Sequence, residues 1–153
     1  FVYCLSGGRS SKANEKIQSL GFKNVYELDG GILEWRKNKL PEALLNNNYE
    51  NSLTVDDFNV FIETEKIVLV DYYANWCAPC KIMEPYLDEI SNEYSENLNL
   101  VRINYDDNLP LVRSLEVYGL PVLQIYKDKN LLWSHVGFIE KSSVEKEIKK
   151  YIN

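Results

Sequence analysis

The chain has little of what most small functional sites are built from. Its 153 residues include one histidine, one methionine and three cysteines. One histidine and one close-spaced cysteine pair cannot supply the four ligands of a structural zinc, so no metal is expected. His135 follows the turn-like "KDKN" in a strand-like stretch, and reads as a partly exposed strand residue and a poor general base. Three cysteines are too few for a disulfide framework, and their number is odd; reactive thiols are the better reading. No apolar run is long enough to span a bilayer. There is no basic excess: the formal net charge is −6, so nucleic acid is not an expected partner. No secretory leader pattern is visible. The chain starts at Phe1 and its sole methionine is Met83, so the natural N-terminus is expected upstream.

What is present is a globular composition, 45% hydrophobic and 26% charged, at a length that suits one domain or one domain plus a fragment. Charge is uneven. Residues 1–45 carry seven Lys/Arg against five Asp/Glu, and the remainder carries ten against eighteen.

Residues 1–45 predict strand, loop, helix, strand, turn, helix. "FVYCL" reads as a short buried strand. Ser10 or Ser11 is placed to cap a helix whose Ala13, Ile17 and Leu20 share one face. Gly21 is placed to end it. "NVYEL" is a second strand, "DGG" a turn, "ILEWRKN" another helix, and Pro41 closes the unit. So short a segment buries too little surface to be stable alone. A parallel strand pair joined by one helix also needs further strands and helices. The segment is therefore expected to be the C-terminal half of a larger domain. The polar stretch across residues 46–51 reads as a linker.

Residues 52–153 alternate strands and helices throughout. Thr54 is placed to cap a short helix, with Asp56 and Asp57 in its first turn. "KIVLVDYYA" is a buried strand, "CAPCKIMEPYLDEISNEY" a long helix with Pro85 inside, and "LNLVRINYD" a second central strand. A shorter helix runs through Leu115, and "PVLQIYKDKNLLWSHVG" predicts a hairpin turning at Asp128–Asn130. Ser142 is placed to cap a last helix, with Glu145 at the capping-box position. The fold class is α/β, with an antiparallel hairpin at one edge.

Cys77 and Cys80 directly follow a buried strand and open a helix. Free backbone N–H groups there stabilise a thiolate, the reactive form of cysteine. The i, i+3 spacing puts both sulfurs on one side of the first turn. Cys77 is expected to be exposed and to attack; Cys80, further into the helix, is expected to resolve the mixed disulfide. Pro79 has no N–H to lose there and stiffens the bridge. Asp71 sits inside "IVLVDYY". A carboxyl in a buried strand is costly when ionised, so its pKa is expected to rise toward the range of a proton exchanger.

"VDYYANWCAPCK" resembles the active-site segment of thioredoxin, and the similarity runs from about Ser52 to Asn153. It rests on Asp71, Trp76, Cys77, Pro79, Cys80, Lys81, Pro85, "GLP" with Pro121, and Gly137. The resemblance implies a thioredoxin fold: a central mixed sheet flanked by helices. It implies a thiol-disulfide oxidoreductase in which Asp71 is the proton acceptor near Cys80. It also implies that Leu120–Pro121 is a cis peptide beside the disulfide, where the backbone of Leu120 pairs with an extended substrate. Trp76, which adjoins Cys77, is expected to be a partly exposed shield and to join Leu120 and Pro121 in binding substrate. The implied partners are a disulfide-bearing protein client and a thioredoxin-reductase-type electron donor. No cofactor is implied beyond the Cys77–Cys80 disulfide itself. Three departures stand out: alanine at 78 where glycine is commoner, Arg102 where many members carry lysine, and Val122 where threonine is usual.

The remaining cysteine lies in "YCLSGGRSS", residues 3–11. Gly7 and Gly8 permit a tight curl that points successive N–H groups inward, and Arg9 adds positive charge. Such a loop suits a thiolate phosphatase intermediate or a persulfide. Four residues separate Cys4 from Arg9, one fewer than in the phosphatase signature, which favours sulfur. Residues 2–35 resemble the second half of a rhodanese domain. The first part of the chain is thus expected to be a truncated rhodanese-like α/β fragment in which Cys4 would carry sulfane sulfur from thiosulfate or a persulfide donor. A persulfide-handling protein, whose thioredoxin-like part reduces that sulfur, is the second reading of function. A non-catalytic interaction module is a third. Cytoplasm and bacterial periplasm both accept such a site.

Overall fold

A computed structural model describes residues 1–41 and 49–152. Packing divides the chain into two compact units, Phe1–Asn47 and Asn48–Asn153. Residues 46–48 of the expected linker lie outside the described residues.

Among its described residues the first unit holds two helices, α1 (Gly8–Ser19) and α2 (Gly31–Lys37). The two expected strands reduce to one parallel bridge, Val2 with Glu27. The Val2 N–H donates to the Tyr26 carbonyl at 2.8 Å, and the Leu28 N–H to the Val2 carbonyl at 3.2 Å. Nor is "FVYCL" buried, since Phe1 and Tyr3 are exposed. The segment has one neighbour, and among the described residues of this unit no other strand extends the pair. For the same reason the Ala13, Ile17, Leu20 face of α1 is open, with Ile17 half-buried and the other two exposed. α1 begins earlier than a serine cap predicts. Gly7, at φ 92°, is its N-cap and gives no side-chain cap. A positive φ turns the chain into the helix without a capping hydroxyl. Ser10 is buried inside the first turn instead. At the other end Leu20 is the C-cap and Gly21 follows with φ 92°.

The second unit is a four-stranded sheet between two layers of helices. β1 (Ile67–Tyr73) pairs parallel with β2 (Leu98–Asn104) and antiparallel with β3 (Val122–Lys127), and β4 (Asn130–Val136) completes the order β2-β1-β3-β4. The hairpin turns through Asp128 and Lys129, both at positive φ, which matches strand twist in a two-residue loop. The remaining helices are α3 (Val55–Ile62), α4 (Ala78–Glu93), α5 (Leu109–Ser114) and α6 (Lys141–Ile148).

Alternation along β1 sorts the core. Val68, Val70 and Tyr72 pack with Phe58 and Ile62 of α3 and Leu111 and Val112 of α5. Ile67 and Leu69 pack with Met83, Leu87 and Ile90 of α4 and Val144 and Ile148 of α6. Each fully buried aliphatic side chain contributes roughly 1.5–3 kcal/mol relative to exposure, so β1 is held from both faces. Asp71 has the parity of Ile67 and Leu69, which puts it on the α4 side.

Thr54 caps α3 as expected, its Oγ1 accepting from the Asp57 N–H at 3.1 Å while the Asp57 carboxylate accepts from the Thr54 N–H at 2.8 Å. α6 departs from expectation: its N-cap is Glu140, with no side-chain cap. The helix is fastened at Lys141, whose Nζ lies 2.8 Å from Glu89 Oε2 and 3.7 Å from Glu145 Oε1.

Candidate functional site

β1 runs out of the core and the chain turns at once into α4. Cys77 is the N-cap of that helix, and its Sγ accepts from the Cys80 N–H at 3.3 Å. Pro79 occupies the first turn, where no intrahelical N–H is required. The two sulfurs are 1.96 Å apart, with Cα atoms 5.3 Å apart.

Cys77 is not exposed, contrary to its sequence reading. It and Cys80 are each only 3% exposed. Its side chain turns inward to meet Cys80 and to take the amide hydrogen bond, and Asn75, Trp76 and Ala78 carry the surface around it. Trp76 is 67% exposed and is held at one end, its indole N–H donating to Asp106 Oδ2 at 2.7 Å. The Leu120–Pro121 peptide is cis. Pro121 is buried, and Leu120 packs against the cluster of side chains that contains Cys77 and Cys80. His135 is half-buried on β4, stacked on Trp133.

Asp71 is 1% exposed. Burial pushes its carboxyl from 3.8 up to about 6, against the pull of Arg102. Arg102 is its register partner on β2 and donates from Nε to Asp71 Oδ2 at 3.1 Å. The other carboxyl oxygen, Oδ1, is buried without a hydrogen-bond partner.

The second thiol is built differently. The amides of Ile32 and Leu33 in α2 donate to the carbonyls of Cys4 and Leu5, both at 3.0 Å. This holds the Cys4 loop against Gly31. A Cβ on Gly31 would sit 2.4 Å from the Cys4 carbonyl oxygen, so glycine is required there. Cys4 Sγ accepts from the Ser10 N–H at 3.4 Å and lies 3.5 Å from Ser10 Oγ. Ser10 Oγ in turn reaches the Gly7 carbonyl and Glu27 Oε1. The Ser10 hydroxyl, then the amides of Ser10, Arg9 and Ser6, hold the Cys4 thiol down near 6. Arg9 thus acts on the sulfur through its backbone, and its side chain is exposed. Gly7 shapes the loop by its positive φ, and Gly8 begins α1.

Ser10, Asp106 and Glu84, whose Oε1 accepts from Arg102 Nη1 at 2.6 Å, contribute to these two sites beyond the sequence reading. The sequence offers Ser10 or Ser11 as a helix cap, though the place of Ser10 at the mouth of a cysteine loop is a usable signal. Nothing in the local sequence marks Asp106 or Glu84.

A family model described as Thioredoxin matches residues 50–150. The chain belongs to the thioredoxin family. Thioredoxin from Porphyra purpurea is 35% identical over 92 residues, which cover 60% of this chain and 86% of that protein. Thioredoxin from Pseudomonas aeruginosa is 40% identical over 77 residues, 50% of this chain and 71% of that protein. The solved structure of a mutant thioredoxin from Halobacterium salinarum shares the fold, with a TM-score of 0.61 at 24% identity over 67% of this chain and 88% of that one. A Rhodanese-like domain model matches residues 1–38. The chain is a thiol-disulfide oxidoreductase, and its β1, β2, β3 and β4 form one mixed sheet.

The Asp71 carboxyl carries a testable consequence. Its folded pKa lies above the unfolded value, so its contribution to stability is complete below about pH 4 and is lost as pH rises through about 6. Denaturant unfolding of the oxidised protein at pH 4 and pH 8 is expected to show a gain for Asp71→Asn relative to wild type. That gain should be larger at pH 8 by about 2–3 kcal/mol. Equal differences at both pH values would mean that Asp71 titrates normally.

Proposed function

We propose that the thioredoxin-like unit reduces disulfides of protein clients through Cys77 and Cys80, with Cys77 as the nucleophile. The observation that carries the order is the Cys80 amide, which donates to Cys77 Sγ at the head of α4. A negative charge that forms on Cys77 is met by this N–H and by the positive end of the helix.

The Cys77 thiolate attacks one sulfur of the client disulfide. A Cys77–client bond forms, and the other client sulfur leaves as a thiolate. Cys80 gives its proton to the Asp71 carboxylate and attacks Cys77 Sγ. The Cys77–Cys80 bond closes, and the second client sulfur leaves as a thiolate. The client gains two electrons and the pair loses two. Protonated Asp71 and solvent return protons to the departing thiolates. Trp76 and the Leu120–Pro121 segment border the cysteine pair and are the client-contacting residues on this reading. A thioredoxin-reductase-type donor restores the dithiol.

A second reading applies to the first unit. Cys4 Sγ accepts from the Ser10 N–H and lies beside the Ser10 hydroxyl, and with its pKa held down near 6 it is poised as a thiolate near neutrality. Attack on thiosulfate forms a Cys4 persulfide and expels sulfite. The Cys77/Cys80 dithiol of a reduced molecule can then supply two electrons to the outer sulfur, which leaves as sulfide while the disulfide forms.

Two experiments test these readings. Reduced Cys80→Ser mixed with insulin should yield a covalent adduct at Cys77 that dithiothreitol releases, and Cys77→Ser should yield none; the reverse pattern would invert the assignment. Thiosulfate treatment should add one sulfur atom to the intact mass of the wild-type chain, and Cys4→Ser should take up none. Equal uptake by both would remove Cys4 from the chemistry.

A further inference from the structure

The cation beside Asp71 serves two acids. Arg102 donates from Nε to Asp71 Oδ2 at 3.1 Å and from Nη1 to Glu84 Oε1 at 2.6 Å. Its guanidinium also lies 4.5 Å from the centre of the Tyr73 ring. Three contacts, two from β1 and one from α4, therefore fix the plane of the group. The side chains of Asp71, Arg102 and Glu84 are 2%, 22% and 47% exposed. The triad thus leads from the sheet interior to solvent.

We infer that Glu84 is a positioning residue for Asp71: by occupying the second arm of Arg102, it keeps the buried carboxyl able to take up and return a proton. The reason is a count of charges. When Asp71 is protonated, Arg102 still faces the Glu84 carboxylate, and a neutral pair remains. Without Glu84, protonation of Asp71 would strip a half-buried guanidinium of its counter-charge, which is costly. Arginine makes the second acid necessary because it keeps its proton throughout this range. Glu84 also repels the Asp71 anion directly, and this raises the Asp71 pKa while Arg102 lowers it.

Asp88 of α4 acts on Asp71 in the same sense as Glu84, and the Tyr86 phenol of α4 feels the Asp71 charge. β2 supplies Arg102, and β3 sets Leu123 opposite Asp71. Cys77 and Cys80 do not titrate while bonded to each other.

The benefit to catalysis rests on the proposed role of Asp71 toward Cys80, so the test reads the carboxyl separately. Carboxyl carbon NMR of the oxidised full chain follows the Asp71 midpoint in wild type, Glu84→Gln and Glu84→Asp. Glu84→Gln should lower the midpoint by about one pH unit, and Glu84→Asp should bring it back toward wild type. An unchanged midpoint in Glu84→Gln overturns the assignment. Insulin reduction then gives the pH profile: the acid limb should move downward with the midpoint in Glu84→Gln and be missing in Asp71→Asn. A limb that survives Asp71→Asn removes Asp71 as the proton acceptor, yet a shifted midpoint still establishes the hold of Glu84 on it.

Discussion

The constraint on which the second unit depends is that β1 is buried on both faces. Six of its seven residues are buried, and the seventh is half-buried. Such a strand requires a paired strand on each edge and a helix layer above and below, and the sheet order β2-β1-β3-β4 with α3 and α5 on one side and α4 and α6 on the other meets that requirement. Two features of the site follow. The chain leaves β1 directly into α4, so the cysteines fall where a helix presents its free amides. A carboxyl placed within β1 is cut off from water, so its proton affinity rises.

The two thiol centres use opposite means. At Cys4 a hydroxyl and several amides converge on a partly exposed sulfur and lower its pKa. At the cysteine pair, one amide meets Cys77 Sγ, and the neighbouring electrostatic device is an acid whose pKa is raised. The first arrangement stabilises an anion on the sulfur itself. The second stabilises the protonated form of a neighbouring acid, on which the proposed role of Asp71 rests. Arg102 limits how far burial can push Asp71, and the shared contact with Glu84 limits Arg102 in turn.

Much of this was legible in the sequence because the signals are local. Strand and helix alternation, the Thr54 cap, the hairpin turn at Asp128 and Lys129 and the burial of Asp71 all follow from residue type and period over a few positions. The caps of α1 and α6 did not follow. At α1 the backbone turns at Gly7, and at α6 the chain enters from an extended Glu140, so serines that look like caps lie inside the helices. The burial of Cys77 is not a local signal either: its sulfur faces Cys80 and the Cys80 amide, and the residues around it carry the surface. The Arg102 triad was out of reach for another reason. Asp71 and Arg102 are 31 positions apart, and a parallel crossover does not announce its register. Likewise, a glutamate on a half-exposed helix face looks like any solvated charge until the register brings an arginine beneath it.

The central claim is that the amide at the head of α4 makes Cys77, not Cys80, the attacking sulfur. Timed iodoacetamide labelling of the reduced chain across pH, with the alkylated residue located by peptide mass, reads it directly. Cys77 should label ahead of Cys80, with a midpoint below the ordinary cysteine value of about 8.5. Earlier labelling of Cys80, or a Cys77 midpoint at or above that value, would contradict it.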